Sequence, residues 1–389
     1  MRFILFNEGG TVRGETHHRR YLDLIEEAKF AEEMGFYGWG TSEHHFVNEL
    51  ATVSQPPILF AAVARETKTL RLRYMSRLAS AIHPILVAEQ TAATDLLSNG
   101  RIEVGIARGN TLAQLDAFGV PLEETKGRAE EALDLIIRAL SDHTFSHEGE
   151  YWGSIPEREL IPKPLQEPHP PFFKICQTVS SAQDARRRGL GMITSDMYFG
   201  WDVLQSYIDA YLSVPEEEVD PVGRFVQKSI ATIAITARCE KTNDLALEAG
   251  ERDMKMFAQC IINDLYAQLG ERSPEEYGEF QQIAELRDRV DDVDWLRNVG
   301  PAVMVGDPKH CIDQVQRLKD MGTDEIILRV DNDDHDVIMS TLQNLGRYVI
   351  PYFNSPKNVL REGPIGFLPG DPRQTVSYDD TAKAGTVTV

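Results

Sequence analysis

Eight short, β-prone apolar runs, each followed by a longer segment of helical periodicity or an insertion, constrain this chain more than any other feature. The runs cover residues 3–6, 37–41, 70–76, 102–107, 172–176, 192–195, 230–235 and 325–330. Several are apolar on both faces, as in Ile326, Ile327 and Leu328, which suits a strand covered on two sides. Over residues 128–140, Ala129, Ala132, Leu133, Ile136, Ile137 and Leu140 fall on one face of an α-helix. Residues 21–34 follow the same rule, with Gly35 as a stop; so do Ile312, Val315 and Leu318, and Ile338, Leu342 and Leu345. Strand–helix alternation implies parallel strands joined by right-handed crossovers. Eight units predict an α/β chain folded as a single (β/α)8 TIM barrel; an open doubly wound sheet is the alternative.

Three stretches exceed a minimal barrel. Residues 144–171 contain a hairpin-like run through His147 and Trp152, and residues 254–300 form a charged insertion that is helical in part. The barrel is expected to occupy residues 1–353, leaving 354–389, rich in Gly, Pro, Asp and Thr, as an extended or disordered C-terminal tail. The net charge of −21 repels phosphates and so disfavours nucleic acid and anionic membranes as partners. Four cysteines, none in a C-x-x-C pair, suit a reducing compartment. No apolar run is long enough to span a bilayer, and the first residues read as a strand rather than a signal peptide; a cytoplasmic protein is expected.

A barrel of this kind keeps its chemistry at the C-terminal ends of its strands. Asn7 and Glu8 follow the first run, Ser42, Glu43, His44, His45 and Phe46 the second, and Ser76 and Arg77 the third. Arg108, Gly109 and Asn110 follow the fourth, Gln177, Thr178, Ser180 and Ser181 the fifth, Ser195 and Asp196 the sixth, and Asp331 the last. Thr178, Ser180 and Ser181 stand before a helix expected over 182–188, where hydroxyls and free amides can hold a phosphate or cap the helix. Arg108 can add a charge-assisted contact. Adjacent histidines on extended chain point opposite ways, so His44 and His45 do not chelate one metal; one of them beside Glu43 suits proton transfer near neutral pH. No first-strand His-x-His pair is present, and no metal is expected.

With these residues in place, the chain resembles the bacterial luciferase-like, flavin-dependent monooxygenase family from Met1 to about Phe353. The resemblance is carried by Glu43-His44-His45-Phe46, by Ile82-His83-Pro84 and by the run from Leu97 to Gly109. Val305-Gly306-Asp307-Pro308 and the segment from Gly346 to Pro351 add to it. It implies reduced FMN (FMNH2) at the barrel mouth and O2 addition to give a flavin C4a-hydroperoxide that oxygenates a small apolar aldehyde, ketone or terpenoid. It also implies a separate flavin reductase, since the chain lacks a Gly-rich dinucleotide motif, and a homodimer packed through early helices. By matching positions, His44 would handle the proton beside Glu43. Arg108, Thr178 and Ser181 would hold the flavin phosphate with help from Arg128 and Gln177. Met75-Ser76 stands where the family often has a non-prolyl cis peptide under the flavin ring. The insertion at 254–300 takes the place of a mobile lid. Ala107 and Gln177 replace a cysteine and an acidic residue of luciferase, so light emission does not follow. An F420-dependent hydride-transfer enzyme and a non-catalytic flavin-binding protein are the alternatives on the same barrel.

Overall fold

The computed structural model describes residues 1–354 apart from 13, 48–49, 110 and 266–279; the expected tail beyond 354 and Asn110 therefore lie outside the described residues. Twelve strands are present among the described residues: β1 (Arg2–Phe6), β2 (Gly38–Ser42), β3 (Arg71–Leu78), β4 (Ile102–Ala107), β5 (Phe145–Glu148), β6 (Ser154–Arg158), β7 (Phe172–Ile175), β8 (Gly191–Thr194), β9 (Ile230–Ala234), β10 (Thr236–Cys239), β11 (Val303–Gly306) and β12 (Glu325–Arg329). Eight close into a parallel barrel in the order β1-β12-β9-β8-β7-β4-β3-β2. These are the eight apolar runs of the sequence, so the closed barrel stands and the open sheet does not. Pairing of β1 with both β12 and β2 makes the closure, with Ile4 opposite Ile327 on one side and Gly38 on the other.

Alternation along each strand divides the core in two. Phe3 and Leu5 pack outward with the helices, while Ile4 and Phe6 turn inward. Ile4, Phe6, Met75, Phe173, Ile193, Ala231 and Ile327 form an apolar belt inside the barrel. Helices cover the outside, among them His17–Glu33, Pro56–Glu66, Pro84–Ser98 and Thr125–Ser141. Each carries an apolar face inward, such as Ala129, Ala132, Leu133, Ile136 and Leu140 of Thr125–Ser141.

The floor beneath the belt is charged. Arg73 Nε donates to Glu103 at 2.6 Å, and Arg73 also pairs with Glu325 at 2.6 Å. Arg71 donates to the other Glu103 oxygen at 3.0 Å. Arg2 reaches Glu325 at 2.7 Å and Ser229 at 3.0 Å. All five charged residues are buried, and the guanidinium carbon of Arg73 lies 3.9 Å from the Phe173 ring centroid, joining floor to belt. Burial alone would push the Glu103 carboxyl up, but Arg73, Arg71 and Arg2 hold it down at about 2.

The excursions are larger than the sequence suggested at one place. The hairpin β5–β6 lies within the expected 144–171 stretch. The second excursion starts directly after β9, well before residue 254. It runs through β10, the helix Asn243–Cys260 and the helices Phe280–Arg289 and Val293–Val299, and returns as β11, which pairs in parallel with β10. Its own core gathers Ile235, Ala246, Met254, Ala258, Leu296, Val303 and Val305 around Tyr198. The expected run 230–235 ends where β9 gives way to β10, and Thr236–Cys239, which carries Thr236 and Arg238, was not read as a further strand.

Replacing Arg73 by Met leaves Glu103 and Glu325 buried without their shared cation. The expected loss is roughly 3–5 kcal/mol, measured as the free energy of urea unfolding; a loss below about 1 kcal/mol would mean the floor network is not a stabilising requirement.

Candidate active site

The polar groups at the C-terminal ends of the strands fall into two sets on different sides of the mouth. One set lies along β3, β4 and β7. Arg108 follows β4 and is exposed, and its guanidinium has no partner among the described residues. Ser80 ties it to Arg128: Ser80 Oγ donates to the Arg108 carbonyl at 2.5 Å, and the Ser80 carbonyl accepts from Arg128 Nε at 2.8 Å. Arg128 is partly committed, with Glu124 at 3.4 Å and the Trp152 ring centroid at 4.7 Å.

On the neighbouring strand, Thr178 caps the helix Val179–Arg187. Thr178 and Ser181 form a reciprocal capping box, with the Ser181 amide on Thr178 Oγ1 and the Thr178 amide on Ser181 Oγ, each at 3.1 Å. The helix starts three residues before the expected 182, because that box closes its first turn. Val179 and Ser180 thus occupy the first turn, where amides have no partner inside the helix. Thr178 and Ser180 are exposed, and Gln177 beside them is half-buried.

Met75 and Ser76 lie on β3 between these groups and the barrel belt. The described residues contain cis peptide bonds only before Pro162 and Pro168, so the expected Met75–Ser76 cis bond is absent. The strand bends there by a register shift instead, between Tyr74 and Arg77 against β4. Gly105 makes room for it: a Cβ on Gly105 would lie 2.3 Å from the Met75 carbonyl oxygen. Met75 is buried in the belt, and Ser76 accepts the Glu43 amide at 3.0 Å.

The second set surrounds His44. Its Nε2 lies 2.9 Å from Glu8 Oε1, and its Nδ1 is buried with no partner among the described residues. Glu8 Oε2 accepts from Arg329 Nε at 2.7 Å. Arg329 is buried at the end of β12 and its Nη1 reaches both Asp253 oxygens, at 3.2 and 3.3 Å. Asn332 donates to Asp253 at 3.0 Å. Asp331 accepts from the Glu8 amide and from Arg20. Burial works against the Glu8 charge, but His44 and Arg329 outweigh it and hold the carboxyl down to about 2. An ionised Glu8 on Nε2 favours the tautomer with its proton there, leaving Nδ1 as a base.

Glu43 and His44 are brought close in sequence but not in function. Glu43 turns outward, where Oε2 accepts from Arg77 Nε at 2.8 Å and the Leu78 amide at 3.2 Å. Its other oxygen faces His45 at 3.4 Å. Both oxygens are engaged in fixing the ends of β2 and β3, and Glu8 is the carboxylate that meets His44. Of the aromatics that flank these segments, Trp201 stacks under Arg317 in the outer layer and Tyr198 is buried against the insertion.

Arg329, Asp253 and Asn332 are the site residues that the sequence reading did not select, and Glu8, placed after the first run, was given no partner. A lone arginine ending the buried apolar run 325–330 was the available signal, since a charge at the top of an inward face demands a partner. Backbone strain also concentrates here. Phe46, Met197, Tyr198 and Asn332 have φ of 59°, 50°, 66° and 64°, and all four follow barrel strands at this face. Among the described residues no cluster of His, Cys, Asp and Glu could hold a metal, and no helix is long and apolar enough to cross a membrane.

The mouth thus carries an exposed arginine and a capped helix start on one side and a carboxylate-held imidazole on the other. Residues 1–325 match the luciferase-like monooxygenase family, and the chain belongs to that family, within the oxidoreductases. A relative from Acinetobacter baylyi, the oxygenase component of a flavin-dependent trigonelline monooxygenase, is 26% identical over 94% of this chain and 99% of its own length. The FMN complex of the oxygenating constituent of 3,6-diketocamphane monooxygenase from Pseudomonas putida has a TM-score of 0.67 at 19% identity, covering 90% of this chain and 98% of that one. An F420-dependent secondary alcohol dehydrogenase has a TM-score of 0.66 at 16% identity, over 90% and 98%.

Because the Glu8 value lies below the ordinary 4.5, its contribution to stability is fully present above pH 4.5 and is lost as pH falls toward 2. Between those limits the unfolding free energy of the native chain is expected to fall more steeply with acid than that of a Glu8→Gln variant. Parallel pH dependences in urea titrations would contradict the Glu8–His44–Arg329 assignment.

Proposed function

We propose that this protein is the oxygenase component of a two-component monooxygenase that uses reduced FMN and O2 to oxygenate a small apolar organic substrate, with a separate flavin reductase supplying the reduced cofactor. The observation that carries the reading is the pairing, across one barrel mouth, of the unpartnered Arg108 guanidinium and the Thr178 helix start with the Glu8–His44 dyad. The cradle fits FMN by its donor set: a cation without a partner, exposed hydroxyls and first-turn amides suit a phosphate dianion. Arg108, Thr178, Ser181 and the Val179 and Ser180 amides are the groups to hold it, with Arg128 and Gln177 at its edge. Met75, Ile175 and Ile233 offer an apolar wall to the ring and the substrate.

Bound there, the reduced flavin supplies the electrons that activate O2 for insertion of one oxygen atom into the substrate. This chain supplies orientation and proton control. Arg108 fixes the phosphate end, and the bulge at Met75–Ser76 shapes the floor. His44, held through Nε2 by Glu8, presents Nδ1 as the base that accepts a proton at the mouth and returns it. Glu43 acts indirectly, by fixing the strand ends through Arg77. That the relative from Acinetobacter baylyi is the oxygenase component of its monooxygenase supports a partner reductase. Ile58 and Leu86 are exposed on the helices Pro56–Glu66 and Pro84–Ser98, and they support the homodimer as part of the reading.

F420-dependent hydride transfer is the second reading, favoured by the F420 enzyme's fold score standing beside that of the FMN complex. O2 uptake separates the two, since hydride transfer to or from a deazaflavin consumes none.

Anaerobic titration with reduced FMN, followed by O2 uptake with a panel of ketones and aldehydes, tests the proposal. His44→Ala is expected to bind reduced FMN normally and to lose about 100-fold or more in product formed per O2 consumed. Arg108→Ala is expected to weaken FMN by roughly 10- to 100-fold and leave riboflavin binding nearly unchanged. Tight F420 binding without FMN binding would transfer the protein to the second reading, and equal losses for FMN and riboflavin would remove Arg108 from the phosphate.

A further inference from the structure

The helix Asn243–Cys260 belongs to the excursion between β9 and β12, yet one of its carboxylates is buried in the charge network under His44. Asp253 is fully buried and receives Arg329 Nη1 on both oxygens and Asn332 Nδ2 on one. Arg329 has its Nε on Glu8, and Glu8 has its other oxygen on His44. The four side chains form one unbroken line from the insertion to the imidazole.

We propose that Asp253 is a positioning residue for His44, acting through Arg329 and Glu8, so that the insertion completes the proton-handling group rather than only covering it. The proposal rests on the reading of His44 given above and extends it to a residue on a different structural unit.

The physical case turns on what Arg329 does without Asp253. A buried guanidinium seeks full compensation. Glu8 and Asp253 supply it from two sides, and Asp331 stands farther off, with Oδ2 4.0 Å from Nε. If the Asp253 charge is removed, Glu8 is left as the near counter-ion and is drawn toward Arg329. The Glu8 oxygen on His44 then loses both placement and negative field. Other charges near the line are already spoken for. Arg20 is shared between Glu27 and Asp331, Arg238 pairs with Asp333 and lies 3.9 Å from Asp253, and Glu43 faces Arg77 and His45. The carboxylates among them, Glu27, Asp331, Asp333 and Glu43, cannot take over the position of Asp253 without leaving their own partners.

The fold also holds Asp253 where it is needed. Met254, the next residue, is buried in the insertion core, and its carbonyl accepts from Tyr198 Oη at 3.3 Å. Phe257, one turn on, has its ring centroid 5.0 Å from the Arg329 guanidinium carbon. Gly250 lets the helix approach β11, since a Cβ there would come within 2.9 Å of Val305.

The test compares Asp253→Asn, Asp253→Glu and Glu8→Gln with the native enzyme in two ways: kcat/KM against pH with FMN and a turned-over substrate, and NMR titration of histidine-labelled, flavin-free protein with the His44 ring signals assigned by His44→Ala. Asp253→Asn is expected to lower kcat about tenfold with reduced-FMN affinity unchanged. Its His44 signals and the acid limb of its rate profile move together to lower pH, because a negative charge has left the line. Glu8→Gln moves both further in the same direction. Asp253→Glu keeps the charge and the fold but displaces the carboxylate, so kcat falls while the acid limb stays. That variant decides the matter if Asp253→Asn does not fold, and native-like kcat in it would then overturn the proposal. If Glu8→Gln shifts the His44 titration and Asp253→Asn leaves it in place, the role of Asp253 is wrong while the dyad stands. If neither variant shifts it, or if His44→Ala turns over normally, the reading of His44 itself falls.

Discussion

Arg73 reaches from β3 to Glu325 on β12, past the two strands that lie between them in the sheet, and that contact exists only when the sheet is closed. An unpaired guanidinium in the barrel floor would be strongly destabilising. Opening the barrel anywhere between β12 and β3 would break its pair with Glu325 and leave Glu103 as its remaining carboxylate partner among the described residues. The floor therefore does more than fill space: it ties the first and last thirds of the chain across the barrel axis. Above it the apolar belt closes the interior, and Arg73 beneath Phe173 leaves no step between the two layers. With floor and belt occupied, the polar groups that remain stand at the C-terminal ends of the strands, where barrel enzymes keep their chemistry.

The eight barrel strands were legible because several are buried on both faces and appear as near-continuous apolar runs, as in residues 326–328, and because they alternate with helical periodicity. The helix Thr125–Ser141 was legible by its stripe. β10 and β11 were not, because each is only four residues long, and Thr236–Cys239 follows the 230–235 run with no turn signal between them and carries Thr236 and Arg238. At the site, residues just past strand ends were found by position alone: Arg108, Thr178, Ser181 and His44. Partnerships were not. Glu43 stands next to His44 in sequence, but extended chain sends neighbours to opposite faces, so the carboxylate that meets His44 comes from β1. Arg329 joins residues 321 positions away and, through Asp253, 76 positions away, distances over which no local pattern carries information. The cis bond that the resemblance implied at Met75–Ser76 is absent, and a register shift against β4, which no local pattern announces, stands there instead.

The two sides of the mouth divide the work by charge. The cradle side offers a cation and amide donors, and its hydroxyls are already committed to a capping box. Capping and anion binding do not compete there. The box satisfies the third amide of the helix and leaves the first two, and those are the groups that point past a helix start toward an anion. The His44 side is rich in carboxylates, which repel a phosphate. Under the proposed function, a ligand with an anionic end and an apolar ring would be oriented by this asymmetry, with the anion drawn to Arg108 and the ring toward the imidazole.

Strain and buried charge meet at the junction between barrel and insertion. Met197 and Tyr198 hold left-handed backbone that costs about 1–3 kcal/mol per residue, and they do so directly after β8, where Asp196 lies under Gly300. Burial raises the Asp196 carboxyl to about 7 although the Gly200 amide donates to it. Such a site persists only where surrounding packing over-determines it. The insertion core supplies that packing through Tyr198, Met254, Leu296 and Val303. A loosely attached lid could not hold strained backbone and a buried carboxyl at its root. The described part of the excursion is therefore packed firmly against the barrel, and that packing places Asp253 in the charge network beneath His44.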